Sequence, residues 1–133
     1  MTGRVSDVMH HGVITCDEKT PLHEVARRMT DNDISALVVV DQQGALVGII
    51  SRTDLVKARV YEQYWRAWRN LTAGHIMTRD VVTVRASESI ETAGRLLMER
   101  HIHRLVVVEE REGRLCPVGI LSISDIVRNL AQS

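Results

Sequence analysis

The sequence contains one succession of short motifs twice. The segments ISALVVVD at residues 34–41 and GIISRTD at residues 48–54 recur as IHRLVVVE at residues 102–109 and GILSISD at residues 119–125. The offset between the copies is 68 residues up to the first run and 71 afterwards, so the second hairpin is three residues longer. Since each copy has only about 55 residues, too few for a sizeable core, we expect the two copies to pack against each other.

Each copy is predicted to fold as strand, helix, strand, strand, helix, which makes the chain an α+β protein. In the first copy the strands are expected at residues 13–15, 36–40 and 46–50, with a hairpin turn at Gly44. Thr20 is a candidate cap for the first helix, with Pro21 at its first position, and Asp54 is expected to start the second helix. In the second copy Ser87 or Ser89 takes the place of Thr20.

We place the copies at residues 1–58 and 73–133, with a linker helix at 59–72. The linker region, KARVYEQYWRAWRNL at residues 57–71, has Tyr61, Trp65 and Trp68 at helical spacing, with arginines between them. The aromatic side chains are expected to cover the domain or a second copy of the chain, and we predict a homodimer. Contact with nucleic acid or another protein is the alternative.

The charge balance argues against a nucleic-acid binder that depends on net charge, because 17 basic and 17 acidic residues cancel. Cys16 and Cys116 have no metal-ligand spacing and are expected to be reduced thiols. No apolar run approaches the ~20 residues of a membrane span, and the start of the sequence has no secretory pattern. These features predict a cytoplasmic protein.

Hydroxyl and carboxylate side chains gather where the last strand of each copy meets its helix. They are Ser51, Thr53 and Asp54 in the first copy, and Ser122, Ser124 and Asp125 in the second. Such groups beside the free N–H groups of a helix start suit a polar ligand, although each Asp could also serve only as a helix cap. No nucleophile–base pair or metal-ligand set is visible, so we predict that the chain is not an enzyme.

The duplicated motifs resemble a pair of CBS domains, also called a Bateman module. Four features in each copy carry the resemblance: [DH]-[VI]-M, V-[IV]-T, I-x-x-L-V-V-V and G-I-[IL]-S-x-[TS]-D. They cover about residues 5–58 and 73–129. The second copy is also similar to the last repeat of the AMP-activated kinase gamma subunit. The resemblance implies two β-α-β-β-α repeats packed about a pseudo-twofold axis, with two clefts between them.

The resemblance also implies two nucleotide sites. In one, Asp54 holds the ribose hydroxyls with help from Ser51 and Thr53. The residues that frame its adenine are Thr78, Val82 and Ile102. In the other, Asp125, Ser122 and Ser124 face His10, Ile14 and Ile34. His103 and Arg104 are expected to reach the phosphates, because a planar guanidinium suits them.

The two sites are not equivalent in sequence, since the first copy has Ser35-Ala36 where the second has His103-Arg104. We expect the Asp54 cleft to be the better one. The predicted function is a regulatory module that binds AMP, ADP or ATP without a further cofactor and acts through a separate effector protein. S-adenosylmethionine or NAD would satisfy the same Asp. The alternatives are a dimerisation scaffold that binds no ligand and a nucleic-acid-binding module that uses the linker.

Overall fold

The computed structural model describes residues 2–61 and 68–132, which form two compact units. The first unit is Ile14–Val81, and the second unit combines Met1–Val13 with Val82–Ser133. In chain order the elements are α1 (Val5–Val8), β1 (His10–His11), β2 (Thr15–Cys16), α2 (Leu22–Asp31), β3 (Ala36–Val40), β4 (Leu46–Ser51), α3 (Arg52–Val60), a 3₁₀ turn (Trp68–Asn70), α4 (Ala73–Ile76), β5 (Thr83–Arg85), α5 (Ile90–Arg100), β6 (Arg104–Arg111), β7 (Arg114–Ser122) and α6 (Ile123–Ala131). The predicted α+β class is confirmed.

The first unit has a three-stranded sheet in the order β2-β3-β4. β2 runs parallel to β3, and β3 pairs antiparallel with β4 across the predicted hairpin. Helix α2 turns Leu22, Val25 and Met29 inward at helical spacing, where they join Leu37 and other buried strand residues in one aliphatic cluster. This packing fixes the sheet edge from which α3 begins.

The second unit has a four-stranded sheet in the order β1-β7-β6-β5. Strands β6 and β7 form the longer of the two hairpins, and their turn is Glu112-Gly113, both with positive φ. Such a pair matches the right-handed twist of the flanking strands. Leu105, Val107 and Leu121 of this hairpin pack into a second aliphatic cluster.

The lead-in segments of the two copies, which contain α1 (Val5–Val8) and α4 (Ala73–Ile76), each pack with the other copy's strands and helices. In the second unit, Val5 is fully buried, and its N–H donates to the Glu88 carbonyl at 2.8 Å. In the first unit, the equivalent residue Ala73 is fully buried, and its N–H donates to the Thr20 carbonyl at 2.8 Å. The compact units therefore exchange their lead-in segments, while the boundaries proposed from the sequence remain a prediction.

Several predictions about element ends are wrong. Thr20 does not cap α2, because its hydroxyl donates to Asp17 Oδ1 at 3.1 Å and Pro21 occupies the cap position. Helix α3 begins at Arg52, and the N-cap is Ser51 rather than Asp54. By contrast, the prediction of Ser87 or Ser89 at the helix start in the second copy is confirmed, since Ser89 is the N-cap of α5. The first strand of the first copy covers Thr15–Cys16 instead of residues 13–15.

The linker helix predicted at residues 59–72 lies partly outside the described residues; in the described part, α3 ends at Val60, and Tyr61 has extended backbone. Trp65 and Arg66 lie outside the described residues. Trp68 packs against the first unit's core, and the Arg59 guanidinium lies 6.0 Å from its ring centroid, a cation–π distance. In the described part of this segment, the Arg59–Trp68 pair therefore forms its contacts within the first unit.

Both cysteines are buried and unbridged. Burial raises the pKa of the Cys16 thiol to about 11, against the opposing hydrogen bond with Thr20. A thiol in this state is protonated at neutral pH and suited to packing rather than to nucleophilic chemistry. Among residues 2–61 and 68–132, no helix has the length and apolarity to cross a membrane.

Candidate functional site

The start of α3 fixes the position of the Asp54 carboxylate. The Ser51 hydroxyl accepts a hydrogen bond from the Asp54 N–H at 3.1 Å, and Asp54 Oδ2 accepts one from the Ser51 N–H at 2.8 Å. This reciprocal pair is a capping box, formed because the sequence places Ser and Asp three residues apart at the helix start. Asp54 Oδ1 has no hydrogen-bond partner among the described residues.

Asp54 lines a cavity of about 380 Å³ inside the first unit. The cavity lies where α3 contacts α4. Its wall is polar on the α3 side because Asp54 and Lys57 share one helix face and Tyr61 follows the end of the helix. The complete lining is Asp54, Lys57, Ala58, Tyr61, His75, Ile76 and Met77. A carboxylate, an ammonium group, a phenol and an imidazole thus surround a space large enough for part of a small ligand.

The geometry of α4 determines which nitrogen of His75 serves the cavity. His75 Nδ1 accepts a hydrogen bond from the Thr72 N–H at 2.9 Å, so this nitrogen carries no proton. A neutral imidazole then has its proton on Nε2, which is a donor without a partner in the described part of the chain. His75 therefore offers a hydrogen-bond donor, and one end of its ring is held in place.

The equivalent carboxylate of the second unit, Asp125, is already paired with an arginine. Asp125 and Ser122 form the same capping box, with hydrogen bonds of 2.9 and 3.2 Å. The remaining oxygen, Asp125 Oδ1, accepts a hydrogen bond from Arg128 Nη1 at 2.9 Å. Asp7 takes the place of His75 here, since α1 contacts α6 as α4 contacts α3. The sequence motifs are alike, but of these two carboxylates only Asp54 has an oxygen without a hydrogen-bond partner in the described part of the chain.

The other predicted site residues are divided between the units. In the first unit, Thr53 is exposed on the first turn of α3, and Thr78 pairs with Ile49 through two backbone hydrogen bonds of 2.9 and 3.0 Å. Ile34 packs against this unit's core, while Ile14 is exposed. Ser51, Thr53, Asp54 and Thr78 therefore belong to one unit.

The second unit holds the rest of the predicted residues. His10 is exposed on β1 and pairs with Ile120, and Ser124 is exposed on the first turn of α6. Val82 and Ile102 are half-buried against the second core, His103 is exposed, and Arg104 begins β6 opposite Ser122. The prediction that residues of both copies frame one ligand, such as Val82 and Ile102 beside Asp54, remains a prediction.

Of the seven residues that line the cavity, only Asp54 was predicted. Three of the six others carry polar groups: Lys57, Tyr61 and His75. Lys57 stands three residues after Asp54, a spacing that places both on one helix face, so the sequence contained a usable indication. Tyr61 was assigned to the linker helix. His75 occupies the third helical position after a Thr, where a capping side chain is expected, although Glu or Gln is the usual residue there.

The second unit also has a groove of about 540 Å³ between α5 and α6. Its floor is aliphatic, with Leu97, Ile123 and Ile126, and Met98 and Val127 are more than half exposed at its edge. A polar ligand would find few partners on this surface. Among the described residues, no group of His, Cys, Asp or Glu is placed to hold a metal ion.

Comparison with known proteins agrees with the duplicated motifs and the two sheets. The CBS domain model matches the chain twice, at residues 5–61 and 73–132. The chain belongs to the CBS domain family. This CBS pair is 38% identical over 125 residues to a homoserine O-acetyltransferase of Methanococcoides burtonii, and 30% identical over 124 residues to an uncharacterised protein, MK0525, of Methanopyrus kandleri.

The match to the acetyltransferase covers 93% of this chain but 23% of that protein, and the match to MK0525 covers 93% and 61%. A second homoserine O-acetyltransferase, from Methanosalsum zhilinae, is matched over 24% of its length. The chain thus spans about a quarter of the length of each of these two acetyltransferases. CBS domain pairs are generally regulatory, and the similarity lies in that part of the acetyltransferases.

Two solved structures resemble this chain along nearly all of its length. The CBS domain pair of protein MJ0100, in complex with 5′-methylthioadenosine and S-adenosyl-L-methionine, has a TM-score of 0.83 and 29% identity, and the match covers 99% of this chain and 98% of that one. CBSX2 in complex with AMP has a TM-score of 0.81 and 28% identity, and covers 97% and 96%. These CBS pairs bind ligands that share an adenosine group.

Proposed function

We propose that this CBS pair is a regulatory module that binds an adenine nucleotide, AMP, ADP or ATP, at Asp54. One observation carries the proposal. Asp54 Oδ1 has no partner among the described residues, whereas the equivalent oxygen of Asp125 accepts a hydrogen bond from Arg128. A carboxylate whose position is already fixed by a capping box accepts ribose hydroxyls without further ordering. The adenosine ligands of the related CBS pairs support the same class of ligand.

The other groups of the proposed site follow from their chemistry. The hydroxyls of Ser51 and Thr53 are the nearest in sequence to Asp54, and Thr78 belongs to the same unit. In the proposal, Val82 and Ile102 supply apolar contacts to the purine, and His103 and Arg104 supply contacts to phosphate. The Asp125 site, with Ser122, Ser124, His10, Ile14 and Ile34, is the weaker one because a ligand must displace Arg128.

In this proposal the nucleotide regulates by changing the populations of two arrangements of the chain. The nucleotide favours one arrangement of the chain over another only if it binds the two with different affinity, and a separate effector protein senses the result. The chain itself performs no reaction in this proposal. Acetyl transfer by the longer relatives is not assigned to it, because the chain matches only about a quarter of their length.

The replacement of Asp54 by Asn tests the site. Asn keeps an acceptor for the Ser51 N–H and removes the negative charge, so the helix cap remains while the ribose contact weakens. We expect the affinity for AMP, ADP and ATP, measured by isothermal titration calorimetry, to fall by about tenfold or more. Asp125→Asn is the matched control, because it makes the same change in a capping box whose second oxygen faces Arg128.

Two results would contradict the proposal. Equal losses in Asp54→Asn and Asp125→Asn would mean that the free carboxylate does not select the site. Absence of binding by all three nucleotides, together with NAD and S-adenosylmethionine, would favour a scaffold without a ligand. Preferential binding of one of the last two would keep the adenosine site and change the proposed regulator.

We also propose that a second copy of the chain covers the groove between α5 and α6. Val127 is 58% exposed there, and its equivalent Val56 in the first copy is 61% exposed, so both repeats present an aliphatic side chain at this position. A twofold partner uses the same surface on both protomers, which suits a groove with an aliphatic floor. Val127→Glu is expected to shift sedimentation equilibrium from dimer to monomer, whereas Thr92→Glu, on an exposed part of α5, should not. A monomeric wild type would refute this assembly.

A further inference from the structure

We propose that Lys57 and His75 form an anion subsite that selects nucleotides carrying a phosphate over neutral or cationic adenosyl compounds. This inference rests on the proposed function at Asp54. The two residues line the same cavity as Asp54 in the first unit, and neither is among the residues that the motifs assign to nucleotide binding. They give the cavity one ammonium group and one imidazole N–H donor beside a single carboxylate.

Lys57 is free to act on a ligand. In the described part of the chain its ammonium group forms no ion pair, and it is exposed at the cavity. It stands one helical turn from Asp54, about 4.5 Å along the axis at 1.5 Å per residue. A ligand whose ribose is held by Asp54 therefore has its own phosphate within the range of a flexible lysine side chain.

His75 supplies the second contact. Because Nδ1 is occupied by the Thr72 N–H, the proton of the neutral ring is on Nε2, and this N–H is a donor that a phosphate oxygen can accept. The ring needs no further ordering, since the helix cap already holds one end of it. A sulfonium group gains nothing from such a donor and is repelled by Lys57.

The second unit shows what the same framework looks like without this subsite. Arg128 replaces Lys57 and is bonded to Asp125, and Asp7 replaces His75, with its Oδ2 accepting from the Arg4 N–H at 2.8 Å. There the cation is used internally, and the second position is an acid that repels phosphate. Lysine rather than arginine at position 57 leaves both the carboxylate and the cation available, because a compact ammonium does not form the planar fork of a guanidinium.

Calorimetry with AMP, adenosine, S-adenosylmethionine and inorganic pyrophosphate tests the subsite. Wild-type protein should bind AMP at least tenfold more tightly than adenosine, and AMP more tightly than S-adenosylmethionine. Lys57→Gln should reduce the preference for AMP over adenosine, because one of the phosphate contacts is lost while the ribose contact at Asp54 remains. Lys19→Gln is the matched control, because Lys19 is the only other lysine of the chain and is exposed in the same unit.

A second variant gives a different expected pattern. Lys57→Arg keeps the charge but introduces a guanidinium at the spacing with which Arg128 bonds Asp125. It should weaken AMP and adenosine alike, since the free oxygen of Asp54 becomes occupied. Unchanged adenosine binding in Lys57→Arg would refute the role assigned to lysine at this position.

The outcomes separate this inference from the proposed function. Equal affinity of the wild type for AMP and adenosine, or equal effects of Lys57→Gln and Lys19→Gln, would overturn the subsite while leaving the adenosine site in place. If no adenosyl compound binds, the proposed function fails, and the binding of pyrophosphate then tests the anion subsite by itself. Pyrophosphate binding that Lys57→Gln weakens would uphold the anion subsite, whereas absence of pyrophosphate binding, or binding that Lys57→Gln leaves unchanged, would overturn it.

Discussion

Val5→Asp is expected to lower the free energy of unfolding of the second unit by about 3–5 kcal/mol. Val5 is 0% exposed and belongs to that unit's aliphatic cluster, where it packs with residues such as Val84, Leu97 and Leu105. An aspartate at this position would be a buried charge without a cationic partner, which is among the most destabilising of single changes. The effect should occur in the unit formed by the second copy, 77 or more residues away along the chain from Val5.

Amide hydrogen exchange during mild denaturation would locate this effect. Protection should fall in β6 and β7 while the Ala36–Val40 strand of the first unit keeps more of its protection, because Val5 contributes only to the second cluster. Thr2→Asp adds the same charge to an exposed residue of the same segment and should leave protection unchanged. Loss of protection confined to the Ala36–Val40 strand would show that the lead-in packs with its own copy.

The sequence predicts the hairpins well because their information is local. A run of β-branched residues, a turn with Gly44 or Gly113, and a second apolar run are sufficient to define two paired strands. The exchange of lead-in segments could not be predicted in this way. Val5 and Ala73 are equivalent at the 68-residue offset and both are small and apolar, so either could fill the same space beside either sheet.

The candidate site also has a difference between the two copies that the sequence could not predict, and it concerns single atoms. Ser-x-x-Asp occurs at the start of both α3 and α6, and the structure forms the same capping box at each. The difference between the two carboxylates arises one turn later, where Lys57 stands in one copy and Arg128 in the other. Both residues are visible in the sequence, but whether the cation reaches the carboxylate depends on the side-chain conformation and on the helix that packs opposite.

Gly119→Ala is expected to destabilise the second unit by about 1–3 kcal/mol through overpacking. A Cβ at position 119 would lie 2.5 Å from the carbonyl oxygen of His10, and β1 is held there by pairing of His11 with Gly119. Because the obstacle is backbone, relief requires β1 to move. Gly119→Ala should therefore also shift the amide resonances of His10, a residue of the predicted Asp125 site, in a two-dimensional NMR spectrum.

Gly48→Ala is the matched variant in the first unit, and it meets a different obstacle. A Cβ at position 48 would lie 2.5 Å from Met77 Sδ and 2.8 Å from its Cγ, both in a flexible side chain. Gly48→Ala should consequently cost less than Gly119→Ala in urea unfolding, and Met77→Ala should offset part of its cost in a double-mutant cycle. For Gly119→Ala the corresponding change Met9→Ala should offset little, because the His10 carbonyl remains. An equal rescue in both units would show that methionine packing, rather than the β1 backbone, sets the requirement for glycine at position 119.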